Sequence, residues 1–157
     1  LGLAVSRGAA EFVGTAETRG FFALKLREAT VGKGGVPILL EGQGSAIRVV
    51  GECFSVENHV LTALDILERV GYTNGYYRKT IDVTLYRSEE VGDWEHTQAE
   101  TYLYPPLSTI DLDPPFLREY GDAEHALYTP GTLNPEILRV LEKGEEAEMV
   151  GVQGVAR

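Results

Sequence analysis

IRVVGECFSVENHVLTALDILERVGYTNGYYRKTIDVTLYR, residues 47–87, carries the pattern that decides the fold: strand, helix, turn, strand. Ile47, Val49 and Cys53 lie on one face of the first segment, with Arg48, Val50, Glu52 and Phe54 on the other, the period of two of a strand; Gly51 is placed for a bulge or a close backbone approach. Ser55 then offers an N-cap. VENHVLTALDILERV repeats apolar residues at helical spacing around Val60, Leu64 and Leu67, and Gly71 supplies the stop. After the turn-rich YTNG, Tyr77, Lys79, Ile81, Val83 and Leu85 alternate with Arg78, Thr80, Asp82 and Thr84, which predicts a strand with one buried face.

Outward from this block the elements are shorter. Residues 11–27, EFVGTAETRGFFALKLR, alternate in part and are broken by Gly14 and Gly20, the pattern of two strands joined as a hairpin. A charged loop around Glu89 to Glu95, containing Trp94 as a candidate contact residue, leads into a strand at TQAETYLY. Proline and aspartate dominate from Pro105 to Pro115, so a loop or wrapping segment is expected there. In the tail, ALYTPGTL reads as a strand, Asn134 and Pro135 as N-cap and first helical residue, EILRVLEKG as a helix and AEMVGVQGV as a closing strand. AEFVG at Ala10 to Gly14 recurs as AEMVG at Ala147 to Gly151, an internal echo compatible with duplication or chance. Many strands with one strong helix give an α+β protein.

The 157 residues fit one domain. With 14 Lys+Arg against 24 Asp+Glu the net charge is -10, and the basic residues do not cluster, so neither a nucleic acid nor a membrane is expected as a direct partner. No apolar run approaches the roughly 20 residues of a membrane span. A single cysteine, Cys53, allows no internal disulfide and points to a reducing compartment: the cytoplasm, or an organelle if an N-terminal segment has been removed. No Cys/His spacing suggests a metal site, and His59, His96 and His125 read as surface or satisfied histidines. Cys53 has no basic neighbour in sequence, and Ser6, Ser45 and Ser108 lack a nucleophile context.

On the helix projection Glu68 falls between Leu64 and Leu61, on the apolar face, with Asp65 nearer the boundary. A carboxylate turned toward a core is costly as an ion, which raises its affinity for a proton and makes a base usable near neutral pH. The plainer alternative is that Glu68 sits at the rim, paired with Arg69 or Arg78.

Four motifs in order give these residues a context: AEFVGTA at residues 10–16, VVGECFSV at 49–56, LTALDILE at 61–68 and YYRKTIDV at 76–83. In this respect residues 10–104 resemble the γ-glutamyl cyclotransferase-like family, which includes γ-glutamylamine cyclotransferases, BtrG-type enzymes and AIG2-like proteins. The resemblance implies a small mixed β-barrel with flanking helices, and a cofactor-free conversion of a small-molecule γ-glutamyl substrate to 5-oxoproline and free amine. It also implies that the glutamate of L-D-x-x-E, Glu68 here, is the acid/base, with Tyr77 as the tyrosine of the Y-x-R motif.

The family binds substrate through a Y-G-[ST]-L turn on its first strand. No such turn precedes AEFVG; the nearest match is late, where Gly131, Thr132 and Leu133 follow Tyr128 with two residues inserted. This divides the chain into a core at 1–104, a connecting or wrapping segment at 105–125 and a tail at 126–157 that resembles a family N-terminus. Three accounts fit: circular permutation, with the late turn completing the pocket; a partial second copy beginning near Ala126; or a divergent relative without the pocket. On the last account the protein is a non-catalytic binding module or a subunit of a larger protein complex.

Overall fold

A computed structural model describes residues 1–27, 36–41, 47–88, 92–105, 115–122, 134–143 and 155–156. In chain order the elements are α1 (Gly2–Ser6), β1 (Ala10–Thr18), β2 (Phe22–Arg27), β3 (Val36–Glu41), β4 (Val50–Val56), α2 (Asn58–Leu67), β5 (Tyr77–Tyr86), β6 (Trp94–Leu103), α3 (Pro135–Lys143) and β7 (Val155–Ala156). The larger sheet runs β4-β1-β5-β6-β7, and β2 with β3 forms a second, two-stranded sheet. All pairs are antiparallel except β6 with β7.

The alternation in β5 sets the layers. Ile81, Val83 and Leu85 turn to one side and join Ala16, Cys53, Ala99 and Leu103 of the neighbouring strands, with Phe22 and Leu24 of β2 closing over them. The opposite side, at the Arg78 end of β5, takes the helices: Val60, Leu61 and Leu64 of α2 pack with Ala4, Ala10 and Tyr102. The second sheet buries its other face as well, with Ala23, Ile38 and Leu40 against Tyr104.

The α+β class is as expected, and the barrel is open. Among the described residues the two sheets share no continuous ladder. They meet where Tyr104 N–H, just past β6, donates to the Leu39 carbonyl at 2.7 Å, and β2 is further tied to connecting segments by Phe22 N–H to Ile47 at 3.0 Å and Leu117 N–H to Leu24 at 2.8 Å. Side chains add to this seam where Tyr77 and Lys79 of β5 both donate to Glu41 of β3.

Several expectations are corrected. The segment 11–27 is not a hairpin: β1 continues through Gly14 and pairs with β4 and β5, whereas β2 leaves for the second sheet with β3. A bulge between Phe12 and Gly14 reverses which residues face the core, which is why the alternation there was only partial. Ser55 is no cap but a strand residue opposite Glu11; Glu57 occupies the N-cap position without a side-chain bond. Leu67, assigned to the apolar centre of α2, is 40% exposed, because the helix ends there and the buried face is Val60, Leu61, Ala63 and Leu64. The tail helix has the expected start: Asn134 Oδ1 accepts from Glu136 N–H at 2.9 Å. The tail strand read at ALYTPGTL and the AEMVG echo lie outside the described residues.

Candidate functional site

Glu68 is the residue at which α2 stops. Its N–H still donates to Leu64 at 2.9 Å, but the next residue, Arg69, takes a left-handed conformation with φ 56, which an L residue adopts only at a cost. The chain then folds back tightly. Tyr72 N–H donates to the Arg69 carbonyl, Gly75 N–H to Tyr72, and Tyr76 N–H returns to the Glu68 carbonyl at 2.9 Å. Gly75 is required by contact: a Cβ there would overlap the carbonyl oxygen of Arg69. The YTNG segment is thus a closed loop that begins and ends on Glu68 and delivers the chain into β5.

Two residues into β5, Arg78 stands directly opposite Tyr102 of β6, and both side chains reach the last turns of α2. The Tyr102 hydroxyl donates to Asp65 Oδ1 at 2.7 Å. Arg78 Nη1 lies 3.6 Å from Asp65 Oδ2 and 3.6 Å from Glu100 Oε2. Burial, foremost, and then the bond to Asp65 hold the Tyr102 phenol far above its ordinary value; the Asp65 and Glu68 charges add to this and Arg78 opposes it. Half-buried Glu68 therefore belongs electrostatically to the same cluster as Asp65, Arg78, Glu100 and Tyr102.

Asp65 also opens onto a groove of about 460 Å³ between the end of α2 and the start of α3, walled by Ile66, Arg69, Tyr72, Asn134 and Glu136. The Arg69 guanidinium lies over the Tyr72 ring, 5.5 Å from its centre.

The expected site residues divide into three. Glu68 ends α2 one turn after Asp65; its charge bears on Tyr102, and the groove wall is formed by its neighbours Asp65 and Arg69. Tyr77 does not join it: strand alternation turns it to the face opposite Arg78, against the main core, with its hydroxyl donating to Glu41 Oε2 at 3.3 Å. Tyr128, Gly131, Thr132 and Leu133 lie outside the described residues, although Asn134, the next in sequence, is on the groove wall. Sequence reasoning missed Tyr102 and Glu100. Arg78 was named as a partner for Glu68, and the structure pairs it with Asp65 and Glu100. The signal for Tyr102 was the register of β5 against β6, which alternation within either strand does not reveal.

Residues 4–122 match the family described as gamma-glutamyl cyclotransferase, AIG2-like. The chain belongs to that family. Comparison with curated proteins gives no match. Among the described residues no helix is long and apolar enough to cross a membrane.

Proposed function

We propose that the protein is a cyclotransferase that converts a γ-glutamyl amine or γ-glutamyl amino acid to 5-oxoproline and the free amine, with Glu68 as its acid and base. What carries this reading is the coincidence of the family's L-D-x-x-E glutamate with a half-buried polar cluster beside a groove. The lone pair of the substrate's neutral α-amino group attacks the γ-carbonyl carbon, a five-membered ring closes and the carbonyl electrons move to oxygen, while Glu68 takes one proton from the attacking nitrogen. When the carbonyl re-forms, the bond to the departing nitrogen breaks and that nitrogen takes the proton back from Glu68. Nucleophile and electrophile share one molecule, so the protein's main task is to hold the substrate folded in reacting geometry.

Glu68 closes α2, one helical turn after Asp65, so the proposed base stands beside a carboxylate that Tyr102 and Arg78 already hold in place. In this reading Tyr128 and the backbone N–H groups of Gly131, Thr132 and Leu133 supply donors for the developing oxyanion.

Purified protein given γ-glutamyl-alanine, γ-glutamyl-lysine and glutathione is expected to release 5-oxoproline from at least one, and Glu68→Gln to lower kcat about 10²–10⁴-fold. If none yields 5-oxoproline, or Glu68→Gln turns over like the unaltered protein, the enzyme reading fails. A binding module or a subunit of a larger assembly would then be the reading left.

A further inference from the structure

The end of α2 is fixed from two strands at once. Tyr102, 8% exposed, donates from β6 to Asp65 at 2.7 Å, and Arg78 reaches from β5 to both Asp65 and Glu100. Asp65 lies one helical turn before Glu68, so whatever holds Asp65 also holds the turn on which Glu68 stands. That turn needs holding. The helix stops at Leu67, Arg69 is in a strained conformation, Leu67 and Tyr72 are exposed, and the apolar packing of the segment after Leu64 comes from the partly buried Val70 and Tyr76.

We infer that Tyr102 is a positioning residue for Glu68: its hydroxyl ties Asp65, and with it the last turn of α2, to β6, while Arg78 braces the same carboxylate from β5. The inference rests on Glu68 being the acid/base. A hydroxyl suits the task because it is a neutral donor in a buried place and keeps its proton through the working pH range. Arg78, shared between Asp65 and Glu100, balances the carboxylates that would otherwise repel one another where β5, β6 and α2 meet.

Tyr102→Phe removes the hydroxyl and leaves the ring packed. It is expected to lower kcat about 10- to 100-fold with KM changed less than about threefold, as a small misplacement of a reacting group does, and to speed hydrogen exchange at the amides of Glu68, Val70 and Tyr76 about fivefold, the loss of one hydrogen bond. Asp65→Asn, which keeps an oxygen acceptor for Tyr102, should exchange more slowly at those amides than Asp65→Ala. Tyr102→Phe combined with Asp65→Ala should be no worse than Asp65→Ala alone. Gln98→Ala, an exposed change on the same strand, should leave both measurements as they are. Unchanged exchange at 68–76 in Tyr102→Phe overturns the inference, as do additive effects of the two substitutions. If no substrate is turned over at all, the acid/base reading falls on its own and the exchange rates alone decide whether Tyr102 holds α2.

Discussion

Burial sets the behaviour of Cys53. The side chain is 1% exposed in the main core, and loss of solvent raises the thiol above its ordinary value, with the Arg87 guanidinium opposing. A thiol hidden and held protonated is a poor nucleophile. A thiol-exchange reagent should therefore leave the native protein unmodified and label one thiol per chain once denaturant is added; rapid labelling without denaturant would contradict the packing described. At this scale much was legible from sequence. The helix over Asn58–Leu67 followed from apolar spacing, and the placing of Arg78 on the face opposite Ile81 and Val83 followed from alternation. Tyr102 was not legible, because its place beside Asp65 depends on which residue of β6 stands opposite Arg78. Leu67 was misplaced because it is the last residue of α2, and helical spacing does not show where the core beneath the helix ends.

Among the elements, β1 depends most on a single glycine. Gly14 sits at the bulge, and a Cβ there would overlap the carbonyl oxygen of Tyr86 on β5. The glycine of AEFVG is thus explained by contact between strands. Gly14→Ala should force β1 and β5 apart and destabilise the protein by about 1–3 kcal/mol, read as a lower midpoint in urea; an unchanged midpoint would mean that the strands do not approach there. The bulge also marks what sequence could not supply. The local text favoured a hairpin of β1 with β2, but strand pairing is decided by long-range partners, and β4 and β5 were the ones available. β3, at residues 36–41, escaped notice because six residues without strict alternation, buried on both faces, give no period to read. By contrast β5 and the start of α3 were legible, since alternation and a capping residue are local signals.

At the scale of the molecule, helices cover one end of the outer sheet face and leave Asp82 and Tyr86 of β5 and Trp94, His96 and Gln98 of β6 exposed to solvent. The family match ends at residue 122, yet α3 lies beyond it and packs closely: Ile137 is 5% exposed, and the Leu141 carbonyl accepts from Arg7 at 3.2 Å. α3 is thus part of the same helix layer as α2. The helix was foreseen, but its docking beside α2 depends on contacts between distant residues, which no stretch of letters specifies. The bond between Tyr102 and Asp65 also has an optical consequence at high pH. An ordinary tyrosine ionises near 10.0 and then absorbs at longer wavelength. Tyr102 is held neutral in the folded chain and is free to ionise only in the unfolded one. Its contribution to stability is therefore complete below pH 10 and drains away as pH rises beyond it. An alkaline titration of the 8 tyrosines should stop short of full tyrosinate absorbance until the circular dichroism of the fold is lost, and the last increment should appear together with unfolding.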